Sequence, residues 1–149
     1  MAVGLPGAGK STWFEQQGIV PLSSDHMRLL LADDEDDQTI HVEVFETLRY
    51  LLEQRLRIGR PVSYLDATFL TRLHREPFLQ IAQKHNAAAE ALWFLTPLET
   101  CLQRNHARKR RVPDEIIRDL HVLIEPPSLD EGFSAIQRIS SDSDQPINE

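Results

Sequence analysis

Nine residues near the start of the chain, Gly4-Leu5-Pro6-Gly7-Ala8-Gly9-Lys10-Ser11-Thr12, constrain what it can fold into more than any other stretch. They satisfy the pattern G-x-x-x-x-G-K-[ST] at every fixed position. Glycine lets successive backbone N–H groups turn inward as an anion-binding nest, because no Cβ obstructs the turn. A helix leaving from Lys10 aims its free amides and the positive end of its dipole at the same anion. Lys10 is placed for the β- and γ-phosphate oxygens, and the Ser11 hydroxyl for the shell of a Mg²⁺ ion. Such a loop works only between a strand and a helix. Met1-Ala2-Val3 is read as a short first strand, with the natural start either here or further upstream.

The remainder alternates strand and helix patterns. Lys10 to Gln17 reads as the first helix, stopped by Gly18, and Ile19 to Ser23 as a second strand. A short helix runs to Ala32, with Ser24 or Asp25 as its N-cap. The acidic run Asp33–Asp37 reads as a solvated loop whose charge favours the N-terminus of the next helix, with the steering of a basic partner as the alternative. Apolar residues Val44, Phe45, Leu48, Leu51, Leu52 and Leu56 place a helix over 39–58. Val62 to Asp66 reads as a buried strand ending in an acid. Arg72 to His85 is helical, with Pro77 kinking it or marking its true first turn. Ala91 to Leu95 is a strand in which Trp93 belongs to the core. Helices follow from Pro97 to Arg108 and from Pro113, as an N1 proline, to Ile124. Phe133 to Ile139 is the last strand.

This alternation predicts an α/β fold of three layers, a mainly parallel sheet with helices on both faces. One domain is expected over 1–139, with a basic lid at about 104–113 and a polar, frayed tail over 140–149. The composition fits one soluble globular unit: 41% hydrophobic and 26% charged over 149 residues. The single cysteine, Cys101, rules out an internal disulfide framework and suits a reducing cytoplasm. No secretory leader and no apolar run long enough to span a bilayer is visible. A net charge of −7 argues against broad nonspecific coating of nucleic acid, though not against a local basic site.

In open parallel sheets, ligands gather at the carboxyl ends of the strands. That rule joins the loop at Gly4–Thr12 to Asp25, after the second strand, and Asp66, after the third. Asp25 and Arg28 stand three apart on a helix and so share a face. Phosphoryl transfer to an alcohol needs a carboxylate to orient the hydroxyl and accept its proton. An arginine fork can meanwhile hold an acceptor phosphate. His26 is read as facing solvent. Asp66 ends an apolar strand, where a carboxylate can hold a Mg²⁺-bound water or a basic side chain. Arg104 to Arg111 concentrates basic residues in an otherwise acidic chain. A lid that brings arginines onto a triphosphate explains that charge better than a nucleic-acid patch alone.

Assembled, these residues resemble the kinase module of phage and bacterial polynucleotide 5′-kinases, and the small adenylate-kinase-like P-loop kinases around it. The resemblance runs from Gly4 to about Ile139. It rests on the phosphate loop, Ser24-Asp25-x-x-Arg28, Asp66-Ala67-Thr68, and Arg104-Asn105-x-x-x-Arg108 leading into Val112-Pro113. It implies that Asp25 is the general base and that Arg28 engages the acceptor. It further implies that Arg108 contacts the donor phosphates and that Arg104 lies against the adenine. Catalysis would then rest on Lys10, Asp25, Arg28 and Arg108. The nucleotide would be held by Gly4, Gly7, Ala8, Gly9, Lys10, Ser11, Thr12, Arg104 and Arg108, with Ser11 and Asp66 serving the metal. Phe69 stands where the family often has asparagine, and no fused repair module accompanies the kinase segment.

The expected activity is therefore ATP- and Mg²⁺-dependent phosphorylation of an alcohol, with the 5′-hydroxyl of an RNA or DNA end as acceptor. Separate repair enzymes are the expected partners, and no membrane is involved. Two alternatives stay open: a kinase for a sugar, nucleoside or antibiotic, and a nucleotide-binding switch or adaptor.

Overall fold

The computed structural model describes residues 1–140, so the tail expected over 140–149 lies, apart from Ser140, outside the described residues. Among the described residues five strands and six α-helices alternate as expected. They are β1 (Ala2–Val3), α1 (Lys10–Gln16), β2 (Leu22–Ser23), α2 (Ser24–Ala32), α3 (His41–Arg57), β3 (Leu65–Asp66), α4 (Arg72–Lys84), β4 (Glu90–Phe94), α5 (Leu98–His106), α6 (Asp114–Leu123) and β5 (Ala135–Ile139). One-turn 3₁₀ helices lie at Gln38–Ile40 and Leu129–Glu131.

All strand pairs are parallel. β4 lies between β1 and β5, and β2 pairs with β3. The pleat makes the layers. Along β4, Ala91 and Trp93 pack with one apolar cluster, while Leu92 and Phe94 pack with another. In β1, Val3 joins the first cluster and Ala2 the second. The first cluster takes Met27 of α2, Val44, Leu48 and Leu52 of α3, and Phe78 and Leu79 of α4. The second takes Phe14 of α1 and Cys101 of α5. Alternate side chains of one strand thus seed two cores, one on each face of the sheet. The three-layer expectation holds. Among the described residues no helix is long and apolar enough to cross a membrane.

Local expectations were adjusted at several boundaries. The α2 cap is Ser23, whose hydroxyl accepts from the His26 amide at 3.4 Å, and neither Ser24 nor Asp25 serves. Pro113 is the residue before α6, not its first turn. Pro77 sits in the sixth position of α4, inside the helix. Its missing N–H leaves the Leu73 carbonyl without a helical partner, and Leu73 lies on the exposed face, where water can serve. Strands two and three shrink to two residues each, because only that length finds a parallel neighbour. Trp93 is half-buried, with the Arg138 guanidinium carbon 5.7 Å from its ring centre.

One buried arrangement had no counterpart in the sequence reading. Arg75 of α4 is fully buried, and Glu131 grips it in a fork at 2.7 and 2.8 Å. Its remaining nitrogen donates to the carbonyls of Phe69 and Glu125 at 2.9 and 3.0 Å. Beside it, the Glu125 carboxylate accepts from the backbone N–H of Arg72, the first residue of α4, at 2.8 Å. The segment that begins at Pro126-Pro127 is thereby pinned across the end of α4.

Candidate active site

The phosphate loop spans from β1 to α1. Gly7 and Gly9 adopt φ of 83° and 94°, the left-handed region that disfavours side chains. Space forbids a side chain at Gly7 as well, since a Cβ there would lie 2.5 Å from the Cys101 carbonyl oxygen. The loop therefore rests directly on the backbone of α5. The Thr96 hydroxyl, just before α5, donates to the Ala8 carbonyl at 2.9 Å and fixes the loop from the same side.

Lys10 is buried at the floor of the cleft, where its Nζ donates to the carbonyls of Gly4 and Leu5 at 2.8 Å each. Burial lowers its pKa to about 8, and that effect outweighs the nearby Asp66 carboxylate, which raises it. Asp66 is raised above the ordinary aspartate value, again chiefly by burial, with Lys10 and Ser11 pulling the other way. The Ser11 hydroxyl donates to Asp66 Oδ2 at 3.0 Å. Two hard oxygen ligands thus sit together beside the loop, as a phosphate-bound Mg²⁺ requires. Among the described residues no cluster of three or more His, Cys, Asp or Glu could hold a metal alone. A cation here would complete its shell with phosphate oxygens and water.

Opposite the loop, Asp25 and Arg28 share one face of α2, with Arg28 NH1 donating to Asp25 Oδ1 at 3.0 Å. Arg28 is only 6% exposed, yet its Nε has no partner among the described residues. Asp25 is half-exposed at the edge of the cleft. His26 is exposed, as expected.

The basic segment forms the third wall. After α5 ends at His106, the chain turns back to α6, and Asn105 ties the turn shut. Asn105 Nδ2 donates to the Val112 carbonyl at 2.7 Å, and the Val112 amide donates to Asn105 Oδ1 at 2.9 Å. Arg108, Lys109, Arg110 and Arg111 all face the cavity, and Arg108 lies close enough to Lys10 to disfavour its charge. Arg110 pairs with Asp25 Oδ2 at 3.1 Å and with Asp36.

These groups enclose one cavity of about 770 Å³. Gly7, Gly9, Lys10, Ser11, Asp25, Arg28, Asp66 and Arg108 all line it. Gly4 and Ala8 are buried and, like Thr12, do not line it. Arg104 is outside as well, and its NH1 would stand 3.3 Å from a Cβ placed on Gly9. Sequence reasoning missed Thr96, Asn105 and the Arg110–Asp36 pair. Asn105 stood inside the quoted Arg104-Asn105-x-x-x-Arg108 element, but no local pattern pointed to its partner Val112. The acidic run behaves as expected at Asp34 and Asp37, which cap local turns. Asp36 departs from it.

The AAA domain family matches residues 1–127. The chain belongs to that family. Among curated proteins it is similar to the human L-seryl-tRNA(Sec) kinase, 32% identical over 94 residues, covering 62% of this chain and 27% of that one. It thus spans about a quarter of that relative's length. Among solved structures it superposes on a candidate kinase of Chloroflexus aurantiacus with a TM-score of 0.69 at 15% identity, covering 94% of this chain and 86% of that one. The APS kinase CysC of Mycobacterium tuberculosis, solved with AMPPNP and APS, gives 0.57 at 18% identity, covering 95% and 87%. At such identities the two structures speak for the fold. Fold and family together make this a P-loop domain of the kinase type.

Proposed function

We propose that this chain is an ATP- and Mg²⁺-dependent kinase whose acceptor is a nucleic-acid hydroxyl, first of all the 5′-hydroxyl of an RNA or DNA end. One observation carries the reading. Lys10, Ser11 and Asp66 line one cavity together with Asp25, Arg28 and Arg108. The acceptor oxygen forms its bond to the γ-phosphorus as its proton passes to Asp25 and ADP leaves. Lys10 and Arg108 stabilise charge on the transferring group. A Mg²⁺ ion, held by Ser11 and Asp66 directly or through water, would neutralise the β- and γ-phosphate charge as a Lewis acid. The human relative's name joins a kinase to an aminoacylated RNA, a seryl-tRNA, and the basic 108–111 rim offers an RNA or DNA strand its contacts. Repair enzymes acting on the same ends are the partners this reading implies.

A second reading, a kinase for a small alcohol, is favoured by the acidic 33–37 turn, which sets Asp36 on the rim where a strand would pass. The deciding experiment is transfer of label from γ-labelled ATP across 5′-hydroxyl RNA and DNA, nucleosides and sugars. Labelled polynucleotide ends are expected. Lys10→Ala should reduce transfer by about 10²–10³-fold, as for one lost preorganised contact, with the fold retained. Label on small alcohols alone would establish the second reading. Slow ATP hydrolysis with no labelled acceptor would instead mark a nucleotide switch.

A further inference from the structure

Arg110, at the turn between α5 and α6, makes the most specific contacts of the basic segment. Its NH1 lies 3.1 Å from Asp25 Oδ2, while its Nε pairs with Asp36 Oδ1. The other Asp25 oxygen already accepts from Arg28 at 3.0 Å. Both oxygens of the carboxylate that should receive the acceptor proton are therefore occupied by guanidinium groups.

The two arginines differ in where they are anchored. Arg28 is buried within α2 and cannot leave. Arg110 rides on a turn, and the turn is held at its base. Asn105 clamps Val112, and His106 Nε2 lies 2.8 Å from both Asp114 oxygens. The far partner is equally fixed. The Asp36 amide donates to Asp34 Oδ1 at 2.9 Å, and its carbonyl accepts from Gln38 Nε2 at 3.4 Å. Arg110 thus joins two framed segments across the mouth of the acceptor side.

A hydroxyl can use Asp25 only within hydrogen-bond reach of one of its oxygens. Of the two contacts already there, the one to Arg110 is the one that can yield. A neutral alcohol would displace Arg110 from Asp25 and offer it nothing in return. An alcohol with an anionic group beside the hydroxyl would give the guanidinium a replacement partner.

We infer that Arg110 is a latch that selects acceptors by charge: with Asp36 it holds Asp25 in an ion pair until an alcohol bearing a neighbouring phosphate or carboxylate exchanges for it. This rests on the reading above that Asp25 receives the acceptor hydroxyl, and it adds a selection rule and a residue to it.

The test compares wild type, Arg110→Gln and Asp36→Asn in two measurements. The first is kcat/KM for a nucleoside and for its 3′-monophosphate. The second is hydrogen exchange of the amides of 107–112 in the ligand-free protein, which needs no turnover. Arg110→Gln should raise kcat/KM for the plain nucleoside by about two- to fivefold, the scale of one partly exposed ion pair. It should lower kcat/KM for the monophosphate, so that the ratio between them collapses. Asp36→Asn, a change on an exposed turn, should speed exchange of the lid amides by a similar factor. Adding the 3′-monophosphate to wild type should slow it. Wild-type exchange rates in both variants overturn the latch, and an unchanged acceptor ratio overturns the selection even where exchange moves. If wild type phosphorylates neither acceptor, the activity reading fails, while the exchange arm still judges Arg110.

Discussion

Two buried arginines set the two halves of this molecule apart. Arg75 is 0% exposed and Arg28 6%, so both have been taken out of water. Arg75 recovers what it lost: two hydrogen bonds to Glu131 and two to backbone carbonyls, with all three nitrogens engaged. Arg28 does not, for it has one bond to a half-exposed carboxylate and an Nε with no partner among the described residues. A buried charge that is paired and hydrogen-bonded is a structural bolt. One that lines a cavity with a single hydrogen bond made has guanidinium N–H groups left for something that enters the cavity. The difference separates the part of the domain that must hold from the part that must bind.

The comparison can be broken in four ways. The largest effect is expected at Asp25. Asp25→Asn keeps the shape but cannot take the proton, so kcat should fall by about 10²–10⁴ while nucleotide affinity stays near wild type. An equal loss of nucleotide affinity would move Asp25 to a metal or structural role. Glu131→Ala is the mirror image. It strands the Arg75 charge in the interior and should cost about 3–5 kcal/mol in denaturant unfolding, with turnover per folded molecule little changed. A small loss would show that Arg75 is not held as described.

Arg28→Met sharpens the contrast further. It removes an unsatisfied buried donor, whose penalty is typically about 1–3 kcal/mol, and gives up only a part-exposed ion pair. The ligand-free variant should be as stable as wild type or more so. Its kcat/KM for a phosphate-bearing acceptor should nevertheless drop by about 10–100-fold, the worth of a charge-assisted bond. Joint loss of stability and activity would put Arg28 in the same class as Arg75.

The smallest effect is one of pH. Lys10, with its pKa lowered to about 8 by burial, must be charged to serve a triphosphate. Nucleotide binding should therefore take up a proton, and affinity should fall by up to about tenfold per unit once pH passes roughly 8. Stability moves the other way. Between about 8 and the ordinary value of 10.5 the unfolded chain holds more protons than the folded one at this group. The contribution of Lys10 to stability thus rises with pH through that window. Calorimetry in buffers of different ionisation enthalpy would read the proton. A pH-independent affinity would mean that Lys10 is already fully charged in the empty cleft.

The linear pattern alone determined the phosphate loop, the alternation of strand and helix, and the three-layer class. Each of these depends on interactions that are local or periodic. Gly7 and Gly9 set a turn, the pleat sends Ala91 and Leu92 to opposite faces, and i,i+3 spacing brings Asp25 to Arg28. Asp66 was legible because a carboxylate ending an apolar strand in such a sheet has few places to go. Tertiary structure alone decided which charges meet. Nothing near Arg75 in sequence announces Glu131, and nothing near Asp36 announces Arg110, 56 and 74 positions away respectively. Arginines and carboxylates are numerous and mostly solvated, so composition carries no information about their partners. Packing of α4 against the 125–131 segment removes water from around Arg75 and Glu131, while the lid turn brings Arg110 beside an Asp36 that stays exposed.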